Sequence, residues 1–461
     1  MAEQGRATAA ASIAAASFAL AWVAFYNGYP LVFADTGTYL GQALQRYLGW
    51  DRPVFYSFLL LALHWGITLW AVPVVQAAVI AHLVWLVLRT LGAGGLLRYA
   101  VVIAVLCVGT AAPWFAAWMI PDIFTGAVVL VLWLLGAVPE RLSMVERLWL
   151  VALGTVAIVV HQSHVPLAAG LVIVLLVGRW VFGLGPRLGA RGTALLLAPL
   201  IAAMLGMMLA NLAGHGRFSL SPFGANFLLA RVIYDGPGAA TLVEACPEKA
   251  WRLCAYLADL PPASMRYPSS DHFLWQPDSP FYRLGHPRQT APEAGEIVAE
   301  TFRRHGLWQL TRMTENTLAQ LRQFRTGVGT DFGPWLSTPG PEPVIAEFLT
   351  GDLAAFRSAR QATGDLHLLA PMREVHRIVV LLSLPAVLVA AGLSWWRGER
   401  AGTLLVAAIL AAILGNAILA GGLSAVHDRY TARLAWLLPA ATLALLLARP
   451  HGQTADQSSR A

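Results

Sequence analysis

Charged residues are scarce in this chain. Asp, Glu, Lys and Arg make up 12% of the 461 residues, whereas hydrophobic residues make up 57%. Because soluble domains carry roughly 25% charged residues, this composition excludes an ordinary soluble protein and indicates one built for lipid. A chain of this length could supply about ten membrane spans of roughly 20 residues and leave more than a hundred residues for a water-exposed portion.

Lysine is almost absent, since Lys249 is the only one. The formal net charge of +7 therefore comes from arginine. Many arginines lie in short loops that flank apolar runs, which is the pattern of the positive-inside rule. The basic charge thus indicates membrane orientation, and no nucleic-acid partner is predicted.

Cysteine is also rare, and three residues are too few for a disulfide scaffold. Cys246 and Cys254 are eight positions apart and lie on either side of an apparent helix start at Pro247. On one continuous helix they would lie roughly 12 Å apart, which is too far for a bridge. The spacing therefore predicts that these two cysteines are not bonded.

The apolar runs predict an all-α polytopic membrane protein with about ten transmembrane helices. The first run lacks a convincing cleavage site, so it is interpreted as a retained span. The run at 53–66 is short and predicts a helix at or dipping into the interface, and the run at 148–182 predicts two helices broken at 161–164. The predicted spans are 9–26, 70–89, 99–117, 123–138, 148–160, 165–182, 193–213, 376–395, 402–421 and 432–448.

This topology places the arginine-rich loops on one side of the membrane, the cytoplasm. It predicts an N-terminal transmembrane domain (1–213), a mostly helical extracytoplasmic domain (214–372), C-terminal transmembrane helices (373–449) and a polar cytoplasmic tail (450–461). The Lys-poor, Arg-rich usage favours the inner membrane of a bacterium with a GC-rich genome. The arginines on the cytoplasmic side include Arg6, Arg89, Arg98, Arg141, Arg147, Arg179, Arg187, Arg191, Arg397, Arg400 and Arg449.

Two acidic residues then lie at the outer face. Asp35 opens the motif Asp-Thr-Gly-Thr-Tyr, which ends at Tyr39. Either Asp35 or Thr36 caps a short surface helix, or Asp35 is a base for an acceptor hydroxyl. Asp122 follows a proline at the start of a span, where it either caps the helix or contributes to a ligand site lined by aromatic residues.

Polar and basic residues at the same face are further candidates. His161, Ser163 and His164 interrupt apolar sequence; they either form a satisfied polar turn between two short spans or bind a metal ion, a sugar or a phosphate, and a cavity is implied in both cases. Arg429 and Tyr430 precede the last span on the side where arginine is disfavoured, and a lipid phosphate would explain this placement, as would pairing with Asp428 or snorkelling. Arg52 would likewise either bind a lipid phosphate, pair with an acid or snorkel to the headgroups.

The stretch from Asp35 to Tyr39, followed by Arg52-Pro53 and an apolar aromatic helix, resembles the first outer loop of the GT-C glycosyltransferases. These membrane enzymes use polyprenyl-phosphate-linked sugars and include protein O-mannosyltransferases and lipid A aminoarabinose transferases. The resemblance implies that Asp35 is the catalytic base and Asp122 the second acid. Arg52-Pro53 would match a basic-Pro element, and Arg429-Tyr430 an Arg-Tyr pair before a late span.

The chain departs from this family pattern at several positions. The first acid is single, Arg52 replaces a lysine and is followed by one proline, and His161 and His164 lie where relatives often carry a lysine. The resemblance covers about the first 180 residues and the final turn. It leaves the sugar and the acceptor unspecified.

The resemblance implies an inverting sugar transfer from a polyprenyl-phosphate donor, with Arg52 and Arg429 neutralising the leaving phosphate. Asp122, Tyr39, Ser163, Tyr430 and the two histidines would bind substrate. No cofactor is assigned; a divalent ion at the acid or the histidines stays open, as does the oligomeric state. The alternatives are a transporter or flippase for a lipid-linked substrate, and a non-catalytic subunit of an envelope complex.

Overall fold

The computed structural model describes residues 2–184, 189–285, 287–330 and 340–449, and these are mainly helical. The tail 450–461 and Arg187 lie outside the described residues. The N-terminal helices are α1 (Ala2–Leu20), α2 (Trp22–Asn27), α3 (Ala34–Leu44), α4 (Val54–His64), α5 (Ala71–Thr90), α6 (Leu96–Gly109), α7 (Ala112–Ala117), α8 (Ile123–Ala137), α9 (Met144–Val159), α10 (His164–Val181) and α11 (Gly189–His215).

The long polar insertion and the C-terminal part follow. The insertion contains α12 (Gly224–Asp235), α13 (Pro237–Ala245), α14 (Asp271–Trp275), α15 (Pro280–Arg283), α16 (Pro287–Arg322), α17 (Glu342–Phe348), α18 (Leu353–Ser358) and α19 (Arg360–Thr363). The C-terminal helices are α20 (Ala370–Trp396), α21 (Arg400–Ala417), α22 (Asp428–Ala435) and α23 (Leu437–Leu447). Short 3-10 helices lie at Pro139–Arg141, Arg252–Asp259, Thr350–Asp352 and Asp365–Leu369, and a π-helix at Ile418–Gly422 extends α21.

Six helical segments among the described residues are long and apolar enough to cross a membrane. They are α5, α10, α11, α20, α21 with its π-helical extension, and α22 with α23. The end of α1 and helices α4, α6 and α8 are shorter apolar helices. The protein therefore has the architecture of a helical membrane protein, as predicted, while the count of about ten spans stays a prediction.

The breaks between helices follow local sequence. The polar turn at 161–164 separates α9 from α10, which confirms the predicted interruption. The predicted run 99–117, in contrast, is divided between α6 and α7, because Thr110 adopts an extended backbone and Pro113 begins the next helix. Proline at a first helical turn is favourable, since its missing N–H has no partner to lose there.

Contacts join the arginine-rich helix ends to one another. These ends lie on different helices, yet polar side chains connect them at one end of the bundle. The pairs are Arg89 with Glu146 (2.6 Å), Arg141 with Glu399 (3.7 Å) and Arg400 with the carbonyl of Phe182 (3.0 Å). The loops that were assigned to a single membrane side thus meet in space.

At the opposite end, a short parallel β-bridge joins the first two outer loops. Leu31 N–H donates to the carbonyl of Ala117 (2.9 Å), and Met119 N–H donates to the carbonyl of Leu31 (2.8 Å). Thr36 Oγ1 adds a bond to the carbonyl of Met119 (3.0 Å). Because the bridge ties the segment before α3 to the segment before α8, it brings Asp35 and Asp122 to the same region.

The insertion 214–372 divides its hydrophobic residues between two clusters. Residues 229–298 contribute to a separate core, here called the outer unit, into which Trp50 of the first loop also packs. Residues 344–369 join the main core instead. There Gln361 exchanges hydrogen bonds with the backbone of Val32 (3.0 and 2.9 Å), so this segment braces the first outer loop.

A disulfide joins Cys246 to Cys254, with 5.6 Å between their Cα atoms. The prediction of two unbonded cysteines was wrong, because the chain is not one continuous helix here. Helix α13 ends at Ala245, and a 3-10 helix starts only at Arg252. The intervening turn returns the chain towards its own start, which shortens the separation that a helix would have imposed.

Candidate functional site

Asp35 lies in the first turn of α3 and forms an ion pair with Arg52 (2.8 Å). It does not cap the helix: the N-cap residue is Phe33, whose N–H is satisfied by Thr36 Oγ1 (2.9 Å). The Asp35 side chain is 20% exposed, so it can be reached from solvent. Burial alone would raise the pKa of Asp35, but the charges of Arg52 and Arg429 outweigh it and hold the pKa below its usual value.

Arg52 contacts carboxylates and an aromatic ring. Besides Asp35, it lies 3.8 Å from a carboxylate oxygen of Asp51. Its guanidinium lies 5.4 Å from the ring centre of Trp275, a residue of the outer unit. A planar guanidinium held by an acid and an aromatic face has a fixed orientation. Arg52 therefore orients Asp35 and links the membrane part to the outer unit.

Arg429 is the cation with spare hydrogen-bonding capacity. Its guanidinium stacks between Phe33 (4.4 Å) and Tyr430 (5.1 Å). Electrostatically it acts on both Asp35 and Asp122. Its Nη1 atom is buried and has no hydrogen-bond partner within the part of the chain that the structure describes. A buried N–H of this kind costs free energy unless a ligand satisfies it.

Tyr39 offers a second unsatisfied polar group. It is fully buried, its ring packs edge-on against Tyr56 (4.9 Å), and burial raises the pKa of its phenol. Its hydroxyl interacts electrostatically with Arg52, Asp35 and Asp122. Among the described residues this hydroxyl has no hydrogen-bond partner. Tyr39 and Arg429 therefore both present unpaired polar atoms near the two acids.

Asp122 forms a buried ion pair with Arg433 (2.8 Å). It occupies the N-cap position of α8 but makes no side-chain capping bond, so the capping interpretation does not hold. Arg433 also donates to Asn416 Oδ1 (2.5 Å) and to Ser163 Oγ (3.4 Å). The network connects α8, α21 and α22 with the turn at 161–164, and it makes Asp122 a structural anchor of the site.

The two histidines stack on each other, with ring centres 4.9 Å apart. His164 is fully buried and is held by Thr125 Oγ1 (2.8 Å) and the carbonyl of Ala157 (2.7 Å). His161 lies 2.8 Å from Ser163 Oγ. Residues 2–184, 189–285, 287–330 and 340–449 contain no group of three His, Cys, Asp or Glu side chains that could hold a metal ion.

A narrow cleft of about 20 Å³, enough for one water molecule, opens beside Arg52 and Gln162. Arg52 and Gln162 line it on the polar side, together with Asn211. Phe55 and Met207 give it an apolar wall. The cleft therefore has both a positive charge and an apolar wall, next to the Asp35–Arg52 ion pair.

The outer unit contributes an acid, Asp271, to the surroundings of the site. Asp271 lies 3.2 Å from His427 Nε2, accepts a hydrogen bond from Trp275 and acts electrostatically on Asp35. Burial would raise the pKa of Asp271, but its hydrogen bonds, with His427 first, lower it overall. Residues of the insertion therefore reach the predicted site.

The structure brings together the candidate residues that the sequence indicated, and it adds others. Arg433 was missed although it lies four residues after Arg429, a spacing that places both on one helix face. An arginine inside an apolar span was the available signal. Asp51, Asp271, Trp275 and Asn416 were missed because no motif marked them. Comparison of the chain with family models, with curated proteins and with solved structures gives no match.

Proposed function

We propose that the protein is an integral membrane glycosyltransferase of GT-C type, which moves a sugar from a polyprenyl-phosphate donor to an extracytoplasmic acceptor. The observation that carries this proposal is the buried Nη1 of Arg429, which has no hydrogen-bond partner among the described residues and interacts electrostatically with Asp35 and Asp122. An anion with several oxygens, such as a phosphate diester, would satisfy this group. The narrow cleft beside Arg52, with its polar and apolar walls, would have to widen to admit the lipid attached to that phosphate.

Asp35 is the general base in this proposal. Its carboxylate accepts the proton of an acceptor hydroxyl while the hydroxyl oxygen attacks the anomeric carbon of the sugar. The bond between that carbon and the phosphate oxygen breaks, and its electron pair leaves with the phosphate, which inverts the anomeric centre. Because its lowered pKa keeps Asp35 ionised at neutral pH, the base is ready without prior deprotonation.

The arginines divide the remaining work. Arg429 neutralises the phosphate as negative charge develops, and Arg52 holds Asp35 in place. The Tyr39 hydroxyl donates to an oxygen of the sugar or of the phosphate. Asp122 supports this arrangement through Arg433, which lies one turn after Arg429.

The outer end of the site faces an oxidising compartment in this proposal, the periplasm of a bacterium, and both termini are cytoplasmic. The Cys246–Cys254 disulfide supports this side, because disulfides persist outside the cytoplasm. We expect a membrane-impermeant maleimide, applied to intact cells after reduction, to label these two cysteines. Labelling only after the membrane is permeabilised would contradict the proposed orientation.

The function is tested by substituting Asp35→Asn, with Asp51→Asn as the matched control on the other side of Arg52. Both variants remove one partly buried acid that contacts the same arginine. We expect Asp35→Asn at normal expression to abolish an envelope glycan modification and to cause lipid-linked sugar to accumulate. Asp51→Asn should reduce the modification less than tenfold, because that acid does not receive the proton.

Other outcomes separate the alternatives. Unchanged modification in Asp35→Asn would remove the enzyme assignment and favour a non-catalytic subunit. Loss of lipid movement across the membrane without any glycan defect would favour a transporter. A loss of the same size in both variants would point to a general role of acids near Arg52.

A further inference from the structure

A second, larger concavity lies in the outer unit. It is an open groove of about 510 Å³, which is within the usual size range of ligand pockets. Its wall contains aromatic, acidic and small polar side chains, together with two apolar residues, Leu260 and Pro261. The polar and aromatic lining residues are Tyr234, Tyr267, Asp259, Asp271, Ser269 and His272.

The groove carries negative charge although the whole chain is basic. Asp259 is paired with Arg283 (3.0 Å) and Asp271 with His427 (3.2 Å). Neither Arg283 nor His427 is among the described residues that line the groove. Carboxylates accept hydrogen bonds from hydroxyl groups and repel anions, so the groove favours a neutral or cationic ligand rich in hydroxyls.

The aromatic residues supply an apolar contact surface. Tyr267 is 37% exposed, and it packs against the largely buried ring of Tyr234 with ring centres 5.7 Å apart. The Tyr234 hydroxyl lies 3.4 Å from His272 Nδ1. The partly exposed ring of Tyr267 can contact the C–H face of a sugar, and the neighbouring carboxylates can accept hydrogen bonds from the sugar hydroxyls.

The groove is connected to the proposed catalytic site. Asp271 lines the groove and also accepts a hydrogen bond from Trp275. The ring of Trp275 in turn lies against the guanidinium of Arg52, the partner of Asp35. An oligosaccharide bound in the groove could therefore extend from Tyr267 towards Asp35.

We propose that this groove binds neutral or amino-sugar units of the acceptor glycan and directs the acceptor hydroxyl to Asp35. This assignment rests on the proposed glycosyl transfer. It deepens that function by naming the acceptor class as a neutral or amino-sugar oligosaccharide rather than an acidic one. Tyr267 and the two groove acids are the specificity-determining residues.

The test measures binding of the purified full-length protein, in lipid nanodiscs, to an array of neutral, amino-sugar and acidic oligosaccharides. We expect the wild-type protein to retain neutral or amino-sugar members and not acidic ones. Tyr267→Ala should weaken this binding about tenfold, whereas Tyr267→Phe keeps the ring and binds within about threefold. Phe218→Ala, which removes an exposed ring elsewhere, is the matched control and should bind as wild type.

Two results would overturn the groove assignment. One is a wild-type protein that retains no array member or retains acidic members equally well. The other is a Tyr267→Ala variant that binds as tightly as wild type. Neither depends on turnover: if Asp35→Asn leaves glycan modification unchanged, the transfer proposal fails, while Tyr267-dependent binding on the array would still be measured.

Discussion

The buried pair of Asp122 and Arg433 gives the sharpest expectation about stability. Arg433→Met replaces the guanidinium with a shorter, uncharged and unbranched side chain, and the Asp122 carboxylate is then buried without its partner. Breaking a buried ion pair by removing one member costs about 3–5 kcal/mol. The substitution also removes the bond to Asn416 (2.5 Å), which places the expected loss in the upper half of that range.

A double substitution separates the pair from its surroundings. Asp122→Asn combined with Arg433→Met removes both charges, so no unpaired buried charge is left. We expect the double variant to lose about 2 kcal/mol less free energy of unfolding than the sum of the two single losses. The assay is denaturant unfolding of the purified protein in mixed micelles, with the free energy obtained by linear extrapolation.

Arg429→Met is the matched control for this measurement. Arg429 lies one helical turn away and stacks on Phe33 and Tyr430. Its replacement should cost about 1 kcal/mol, the value of a cation–π contact, while it weakens donor binding. The reasoning would be refuted if Arg433→Met cost less than about 1 kcal/mol, or if the two single losses were simply additive.

Two further outcomes follow from the site and the helix packing. The pKa of Asp35 is held down chiefly by Arg52 against the effect of burial. Arg52→Gln should therefore move the acid limb of the pH–rate profile towards neutral pH, whereas Arg52→Lys should leave it nearer its original position. An unmoved limb in Arg52→Gln would mean that Asp35 is not the titrating base. Gly126→Ala should destabilise the protein by about 1–3 kcal/mol, because the added Cβ would lie 2.5 Å from the Trp436 ring. Gly170→Ala, in open space on α10, is its control and should be neutral or stabilising by up to about 1 kcal/mol when both are unfolded in the same assay.

Apolar runs predicted the membrane-length helices. Polar residues at 161–164 mark a break between two of them because such residues are costly inside a membrane. Asp35 and Asp122 could be assigned to the same face from topology alone. Their actual association depends on the β-bridge at Leu31 and Trp118, for which the sequence has no distinctive signal.

The insertion was harder to predict because its contacts are long-range. The Cys246–Cys254 bond depends on where α13 ends, and helix ends are the least reliable part of a pattern-based prediction. The approach of Trp275 to Arg52 depends on how the outer unit packs around Trp50. Non-local packing of this kind follows from the assembled fold and from no single stretch of residues.

The most direct test of the transfer proposal follows the donor itself. Cells that carry Asp35→Asn are expected to accumulate both the lipid-linked sugar and the unmodified acceptor glycan, so extracts of these cells supply both substrates for purified protein. We expect wild-type protein to consume this lipid and release polyprenyl phosphate, and Asp35→Asn protein to do so about 10²- to 10⁴-fold more slowly. Equal rates for the two proteins, or no consumption by the wild type, would contradict the assignment of Asp35 as the base of a sugar transfer.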